Sequence, residues 1–316
     1  MTLRLDWLLS RSVASPLETV NGDVFNWDFW LQDMRRHFGL PSLTATVFWP
    51  TSVERGRLYV HLLDEKGRPA AFAKISIALL ATNNAKLLKE ANAIYEIEAR
   101  GLTTFRTPRV LMQGAIQNHS YLVLEPLSTS VRPIARKPQA YPNEAVKEYA
   151  GPIRFISSDV VPTLSWWGQY LNKLNDHSRI FHDEMMRYLQ HSKISVCRAH
   201  GDLSSHNVVY DGSTLWIYDW EESTPDAPAR ADAIGFIIAM HQSAIRRNPV
   251  SWTKTLKKQY FGTVKYDHRA DFMMALAFRY AVGIDDAALI IQNWSLCQGI
   301  ERGKSLTVTV LVPWKM

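Results

Sequence analysis

Three polar side chains occur in an order that suits phosphate chemistry. Asp202 lies in a loop that begins at His200, Asn207 follows five residues after it, and Asp219 comes twelve residues later still. Carboxylate and amide oxygens are hard ligands, and Mg²⁺ usually takes one or two of them from a protein and the rest from water and substrate phosphates. Phosphoryl transfer needs little more: a metal clamp, a group that orients the attacking hydroxyl and a cation on the nucleotide.

A predicted hairpin brings these side chains together. Two short runs of β-branched and aromatic residues flank an Asp-Gly pair at 211–212, which is a typical hairpin signal. Asn207 stands at the entry of the first strand and Asp219 at the exit of the second, so both are expected at one end, next to the loop that holds Asp202. In this arrangement Asp202 would take the proton of the acceptor hydroxyl and the other two would hold magnesium. The alternative, in which the three residues only brace a tight hairpin, explains their combined spacing less well.

The same residues resemble the aminoglycoside phosphotransferase and choline kinase family, the small-molecule branch of the protein-kinase-like fold. The family's H-G-D loop, its Asn and the Asp-Trp that ends its hairpin stand here as His200-Gly201-Asp202, Asn207 and Asp219-Trp220. The resemblance implies an α+β, two-lobed protein-kinase-like fold with an antiparallel-sheet N-lobe and a mainly helical C-lobe. It also implies ATP and Mg²⁺ as cofactors, Asp202 as catalytic base, and Asn207 and Asp219 as metal ligands. The implied reaction transfers the γ-phosphate of ATP to a hydroxyl of a small molecule.

Two further residues are expected to support the catalytic loop. Asp232 stands where the family places an aspartate that opens a buried helix and braces this loop. His200 is expected to hold the loop by hydrogen bonds and not to transfer protons, because Asp202 already fills the role of base. His206, inside the loop, is left open between a phosphate contact and a solvent-facing position.

The resemblance also predicts a lysine on the third strand of the N-lobe, paired with a glutamate of the following helix. Lys74 is the only charge in its apolar strand-like run and therefore fits this position. Glu90, in the middle of the predicted helix at 84–100, is the preferred partner. Glu96 and Glu98, at the end of that helix, are the alternatives.

Two segments are expected to bind the nucleotide. Glu125 and Leu127 fall in the segment whose backbone groups hydrogen-bond adenine in this family. The phosphate-covering loop would be 50–56, with Ser52 as a phosphate ligand. That loop contains one glycine and no G-x-G-x-x-G motif, but hydroxyls and backbone N–H groups can also contact phosphate.

The elements that must position these residues are visible in the hydrophobic pattern. Alternating apolar residues predict strands before and after one helix in the first part of the chain, and three- and four-residue spacing predicts helices beyond it. The predicted strands are 44–49, 57–63, 70–77, 109–112 and 120–124. The predicted helices are 27–38, 84–100, 164–190 as one or two helices, 232–245, 252–260 and 267–297 as a pair.

Composition and proline content define the domain organisation. The 316 residues are 47% hydrophobic and 21% charged, which is typical of a folded globular protein and excludes a disordered chain. Prolines concentrate in the loop-like stretch 128–160, which predicts a boundary there. Residues 1–127 are interpreted as an N-terminal extension with a nucleotide-binding N-lobe. Residues 128–316 are interpreted as a linker and a helical C-lobe that carries the catalytic loop and the acceptor site.

The cysteines and the hydropathy pattern indicate a cytoplasmic protein. Cys197 and Cys297 are the only cysteines, and their separation suits neither a disulfide framework nor a metal knuckle. Cys197 lies in an apolar run and is expected to be a buried, inert thiol. No run of eighteen uncharged apolar residues occurs, so neither export nor a transmembrane span is predicted. The oligomeric state is left open.

Other classes of protein fit the pattern less well. A protein kinase needs a longer segment than the twelve residues between Asp219 and Asp232, and neither H-R-D nor A-P-E occurs. A catalytically weak, nucleotide-binding pseudokinase or scaffold is the main alternative. Retention of the four residues with proposed chemical roles argues against it, because scaffolding needs none of them. These residues are Asp202, Asn207, Asp219 and Lys74.

The net charge of +6 raises the question of an anionic partner. The basic segment 246–269 carries a helical pattern with Trp252, Leu256 and Tyr260 on one side and lysines 254, 257 and 258 on the other. This pattern indicates a surface helix with a solvated basic face, and no nucleic-acid partner is expected.

The acceptor is less well defined by the sequence. Glu221, Glu222 and Asp226 follow the expected metal ligand and would suit a cationic acceptor such as an aminoglycoside or choline. The positive net charge favours a neutral or anionic sugar-like hydroxyl instead. Tryptophans 166, 167 and 294 are expected in the core more than around an acceptor pocket.

Overall fold

The structure is a computed structural model that describes residues 25–48, 56–76, 81–135, 137–261 and 266–297. These residues group into two compact units. The first contains the chain up to Tyr95 together with Pro108–Thr129, and the second contains Glu96–Thr107 together with the chain from Ser130 onwards. The sequence boundary at 127 stays a prediction.

One antiparallel sheet forms the centre of the first unit. Its strands are β1 Thr44–Phe48, β2 Arg57–Leu63, β3 Pro69–Ser76, β4 Val110–Ile116 and β5 His119–Leu124. The strand order is β1-β2-β3-β5-β4, so β3 lies in the middle of the sheet. Lys74 on β3 pairs with Tyr59 on β2 and with Leu122 on β5. The side chain of Lys74 is buried.

Two helices accompany this sheet. Helix α1, Trp27–Phe38, begins after the capping side chain of Asn26 and ends at Gly39, which adopts the left-handed conformation with φ of 65°. Its buried Trp30 belongs to the same apolar cluster as the inward-facing residues of the sheet. Helix α2, Ala81–Glu98, buries Glu90 together with its apolar residues, and its last residues group with the second unit.

The second unit is mainly helical. Its helices are α3 Asn143–Ala150, α4 Trp167–Asn172, α5 Asp176–Leu189, α6 Ala231–Met240, α7 Gln242–Arg247, α8 Pro249–Phe261, α9 Tyr266–Ala281 and α10 Asp285–Gln292. Helix α9 is its central element, because every residue from Phe272 to Phe278 is almost fully buried. The three tryptophans 166, 167 and 294 are buried in the same cluster, as predicted.

Two small sheets complete the second unit. One has the order β10-β9-β6 and the other β11-β8-β7. Their strands are β6 Arg132–Pro133, β7 Arg154–Ile156, β8 Ile194–Ala199, β9 Val208–Tyr210, β10 Leu215–Ile217 and β11 Thr224–Pro228. The predicted hairpin is confirmed, with Leu215 opposite Tyr210 and Ile217 opposite Val208.

The observed elements differ from the sequence prediction in two places. The predicted helix 232–245 is two helices that meet at His241, and no glycine or proline marks that position. The stretch 128–160 contains helix α3, whose Ala145 and Tyr149 are buried. Residues 164–190, predicted as one helix or two, form the two helices α4 and α5, with Asn175 as the cap of the second.

The basic helix α8 departs from the predicted pattern at Lys257. Leu256 is buried, Trp252 packs against the core and Lys254 is exposed, as predicted, and the side chain of Tyr260 lies outside the described ones. Lys257 is buried and does not lie on a solvated face. Its Nζ lies 3.5 Å from a carboxylate oxygen of Glu184 and 4.4 Å from the centre of the Trp294 ring. A carboxylate and an aromatic face together compensate a buried ammonium group.

Cys197 is also buried, and burial raises the pKa of its thiol to about 12. The prediction of a buried thiol is confirmed. None of the described helices combines the length and the apolar character needed to cross a bilayer.

Candidate active site

The catalytic-loop residues predicted from the sequence lie together in the second unit. The loop runs from His200 to Asn207 and leads into β9. The N–H of Tyr218, just after β10, donates to the carbonyl of Asn207 at 3.1 Å, so the two ends of the hairpin meet at this point. Asp219 follows directly in the left-handed conformation with φ of 69°, which is uncommon for a residue other than glycine.

The side chain of Asn207 is oriented by Asp202. Its Nδ2 donates to the main-chain oxygen of Asp202 at 2.8 Å and lies 3.4 Å from the carboxylate oxygen Oδ2. The amide oxygen Oδ1 accepts no hydrogen bond from the described residues, although the side chain is mostly buried. An oxygen of this kind, held in place by its own amide nitrogen, is a suitable ligand for a hard cation.

The environment of Asp202 moves its pKa in opposing directions. Burial raises the pKa of this carboxyl, and the nearby charge of Asp219 acts in the same direction. Arg279, His200 and the hydrogen bond from Asn207 act against them, and the net effect is a pKa above the ordinary value. A carboxylate with a raised pKa accepts a proton more readily, which suits a general base.

His200 braces the loop from inside. Its Nδ1 accepts a hydrogen bond from the N–H of Asp202 at 3.3 Å, and its Nε2 lies 2.9 Å from the carbonyl of Tyr218. Nε2 is therefore assigned as the donor of the hydrogen bond to the carbonyl of Tyr218. The buried ring packs 4.5 Å from that of Trp220, centre to centre. Every polar atom of the imidazole is thus engaged within the protein, as expected of a residue that holds the loop in place.

Asp232, in the first turn of α6, binds the start of the loop. Its carboxylate accepts hydrogen bonds from the N–H groups of His200 at 2.7 Å and of Gly201 at 2.9 Å. The hydroxyl of Tyr149 on α3 donates to the same carboxylate at 2.6 Å. Sequence reasoning missed Tyr149, because it lies in the stretch interpreted as a loop and no local pattern links it to Asp232.

Gly201 has no room for a side chain. Its φ is +89°, and a Cβ added there would lie 2.4 Å from the carbonyl oxygen of Glu222. Glycine is therefore required for both its conformation and its close backbone contact. The carbonyl of Gly201 in turn accepts a hydrogen bond from Arg279 on α9 at 3.2 Å, a contact that the sequence did not indicate.

Lys74 and Glu90 form a buried ion pair in the first unit. The Nζ of Lys74 lies 2.8 and 2.7 Å from the two carboxylate oxygens of Glu90. Both alternative partners are engaged elsewhere: Glu96 pairs with Arg198, and Glu98 accepts a hydrogen bond from Thr107 at 3.3 Å. Of the three candidate glutamates, Glu90 is the one that lies against Lys74.

The expected nucleotide-binding segments are described in part. The N–H of Glu125 donates to the carbonyl of Arg109 at 2.8 Å, and its carboxylate lies 3.1 Å from the guanidinium of the same residue. Leu127, two residues further on, is partly exposed. Ser52 lies outside the described residues, as does most of the predicted phosphate-covering loop.

The carboxylates suggested for a cationic acceptor have structural partners. Asp226 accepts hydrogen bonds from the N–H and the hydroxyl of Ser165 at 2.7 and 2.6 Å, which fix the turn before α4. Glu222 is buried and Glu221 is partly exposed. His206 is exposed.

Comparison with known proteins shows the fold. No family profile matches the chain, and no curated protein matches it in sequence. A crystal structure of aminoglycoside phosphotransferase APH(4)-Ia matches with a TM-score of 0.54 at 13% identity, over 87% of this chain and 99% of the other. A thermostable mutant of the same enzyme, in a ternary complex with ADP and hygromycin B, matches with a TM-score of 0.52 at 13% identity, over 86% and 99%. The predicted α+β, protein-kinase-like fold is therefore confirmed.

Proposed function

We propose that the protein is an ATP-dependent phosphotransferase that transfers the γ-phosphate to a hydroxyl of a small molecule. The observation that carries the proposal is the loop geometry around Asp202, whose carboxylate and main-chain oxygen both face the amide of Asn207. The kinase-like fold supports the same conclusion.

Asp202 is the proposed general base. The acceptor hydroxyl would donate a hydrogen bond to its carboxylate, which orients the oxygen for attack on the γ-phosphate and receives the proton as the new O–P bond forms. The carboxylate is about one-third exposed, so an acceptor can reach it. Its neighbours His200 and Asn207 hold the loop through hydrogen bonds to its backbone.

Asn207 and Asp219 are the proposed ligands of Mg²⁺. The donor set fits a hard cation: an amide oxygen that accepts no hydrogen bond from the described residues, and a carboxylate on a neighbouring backbone segment. Bound magnesium would neutralise charge on the nucleotide phosphates. Because Asp219 adopts the left-handed conformation, its side chain does not continue the alternation between the two faces of the sheet that strand β10 follows.

Lys74 is the proposed cation for the nucleotide phosphates, with Glu90 holding its ammonium group in place. A buried carboxylate that bonds a lysine through both oxygens fixes a side chain that would otherwise be flexible. The backbone of Glu125 and Leu127 is proposed to bind adenine, and Ser52 the phosphates.

The acceptor is proposed to be a small polyhydroxylated or amino-alcohol molecule, and one matching structure, of an aminoglycoside phosphotransferase, holds hygromycin B. Engagement of Asp226 by Ser165 removes one of the three carboxylates that favoured a strongly cationic acceptor.

A transfer assay against a panel of sugars, aminoglycosides and amino-alcohols tests the proposal. We expect at least one acceptor to accelerate ADP release in the wild type. Asp202→Ala should lower kcat by roughly 10²- to 10⁴-fold, the usual contribution of a general base, with Mg-ATP binding retained. Asp159→Ala, which removes an exposed carboxylate, is the matched control. If no acceptor accelerates turnover and wild type and Asp202→Ala bind Mg-ATP alike, the protein is a nucleotide-binding scaffold and the proposal is wrong.

A further inference from the structure

A fully buried arginine lies against the catalytic loop. Arg279, on the central helix α9, is 1% exposed. Its Nη1 donates to the carbonyl of Gly201 at 3.2 Å, and its Nη2 lies 3.9 Å from Oδ1 of Asp202. One guanidinium group thus contacts two consecutive residues of the loop, one through the backbone and one through the side chain.

Helix α6 leaves space for this guanidinium. A Cβ added at Gly235 would lie 2.1 Å from Nη1 and 2.8 Å from Cζ of Arg279. Gly235 lies inside helix α6 and does not adopt a positive φ, so backbone conformation does not require glycine at this position. Glycine in the interior of a helix is unfavourable relative to alanine. The contact with Arg279 supplies a reason for it.

The charges around Arg279 explain how the chain tolerates a buried cation. Burial lowers the pKa of the guanidinium, and the carboxylates of Asp202, Asp232 and Asp286 oppose this effect. Asp286 is itself buried and accepts a hydrogen bond from Nε of Arg246 at 3.2 Å. A buried charge persists when several opposite charges surround it, and arginine keeps its proton where lysine can lose it.

We infer that Arg279 is a positioning residue for the catalytic loop, and that Gly235 is the residue that admits its guanidinium. The inference deepens the proposed function and rests on the role of Asp202 as base. Arg279 fixes the peptide that precedes Asp202 and places a positive charge beside its carboxylate.

The contacts of Arg279 define what its loss would do. Without the guanidinium, the carbonyl of Gly201 loses a hydrogen-bond donor at 3.2 Å, and the carboxylate of Asp202 loses the cation that lies 3.9 Å from its Oδ1. The peptide before Asp202 would then be held by fewer contacts, and the carboxylate would be oriented less precisely toward the acceptor hydroxyl.

The kinetic test compares Arg279→Met and Arg279→Lys with the wild type. Arg279→Met should lower kcat by about 10- to 100-fold, as removal of an outer-shell partner typically does. The KM for ATP should stay within about threefold, because Arg279 contacts the loop that carries the base. Arg279→Lys keeps a cation beside Asp202 and should restore part of kcat.

Arg269→Met is the matched control. Arg269 lies on the same helix α9, but its guanidinium stacks 5.7 Å from the ring centre of Tyr188. A loss of stability from removing any arginine of α9 would appear in this variant too, whereas a lower kcat with an unchanged KM for ATP is expected only for the Arg279 variants.

A double-mutant cycle in thermal unfolding tests the role of Gly235 independently of catalysis. Gly235→Ala should lower the Tm of the wild type, because its methyl group overlaps the guanidinium. In the Arg279→Met background the same substitution should leave the Tm unchanged or raise it, since alanine is the better helix former. Equal Tm losses in both backgrounds would overturn the role of Gly235.

The outcomes separate this inference from the proposed function. If the wild type transfers phosphate and Arg279→Met, correctly folded, keeps its kcat, Arg279 does not position the base. If the wild type transfers no phosphate, the proposed function fails, and the cycle between Gly235 and Arg279 alone decides whether the glycine admits the arginine.

Discussion

The ammonium group of Lys74 bonds both carboxylate oxygens of Glu90, at 2.8 and 2.7 Å, and the two side chains are almost completely buried. Lys74 lies on a central strand of the sheet and Glu90 on a helix, so the ion pair joins two elements of the first unit. Breaking one partner of a buried pair leaves an uncompensated charge, which is costlier than removing both.

Lys74→Met should therefore lower the free energy of unfolding by about 3–5 kcal/mol, and the double variant with Glu90→Gln by less than the two single changes together. Urea denaturation measures both. Lys74→Ala should also weaken the use of ATP by roughly 1.5–3 kcal/mol, as expected for a charged hydrogen bond. Lys66→Met, in the exposed turn between β2 and β3, is the control. Unchanged ATP kinetics would assign the phosphate cation to another residue.

Ionisation of Asp202 should oppose folding. Its pKa in the folded protein lies above that of the unfolded chain, so the protonated carboxyl contributes to the stability of the fold. This contribution is fully present below the unfolded pKa, near 3.8, and is lost as the pH rises through the folded pKa. Asp202→Asn cannot ionise and should be more stable than the wild type at neutral pH. The difference should vanish in acid. Thermal unfolding between pH 3 and pH 8 measures it.

Asp211, in the hairpin turn, is a comparison for which stability should change with pH in the opposite direction. Hydrogen bonds from the indole of Trp216 and from the backbone N–H groups of Ser213 and Thr214 lower its pKa. Its contribution to stability is present above the unfolded pKa and is lost as the pH falls through the folded one. Asp211→Asn should thus be less stable than the wild type at neutral pH and equal to it in strong acid. The same sign for both variants would contradict the assignment for Asp202.

The hydrogen bond from Tyr149 to Asp232 should stabilise the catalytic loop. Tyr149→Phe removes the 2.6 Å bond and should cost about 1.5–3 kcal/mol, because the acceptor is charged. Asp232→Asn keeps the size of the side chain but disturbs three hydrogen bonds and should cost more. Denaturant unfolding measures the loss. A smaller effect of Asp232→Asn than of Tyr149→Phe would show that the backbone bonds of His200 and Gly201 contribute little.

Gly201→Ala and Gly212→Ala separate a spatial requirement from a conformational one. Both glycines have positive φ, +89° and +102°, but a Cβ at Gly212 meets no atom within 4 Å. Gly212→Ala should cost about 1 kcal/mol of stability, since only the left-handed conformation is penalised. Gly201→Ala must also displace the backbone at Glu222 and should abolish transfer activity. Equal effects of the two substitutions on stability and kinetics would contradict the close contact.

Local pattern was sufficient to predict the hairpin and helix α1. The Asp-Gly pair at 211–212 and Gly39 are turn and cap signals that act through backbone conformation, so they can be recognised without knowing the rest of the fold. Lys74 could be singled out because a lone charge in an apolar strand is conspicuous.

Other contacts of the loop could not be predicted, because they join residues far apart in the chain. Tyr149, Gly235 and Arg279 carry no local signal that relates them to residues 200–202, and their roles follow only from packing. Lys257 was predicted on a solvated face because helical periodicity assigns charged residues to the exposed side of a helix. The prediction was wrong because Glu184 and the ring of Trp294 compensate the buried ammonium group, and these two residues are far from Lys257 in the sequence.

The anchoring of the loop by Asp232 has a consequence for amide exchange. The N–H groups of His200 and Gly201 are both bonded to one buried carboxylate, which is bonded in turn by α3 through Tyr149. These two amide protons cannot reach solvent by fraying of the loop alone. Although they belong to a loop, they are expected to exchange with deuterium as slowly as those of α9 in the helical core.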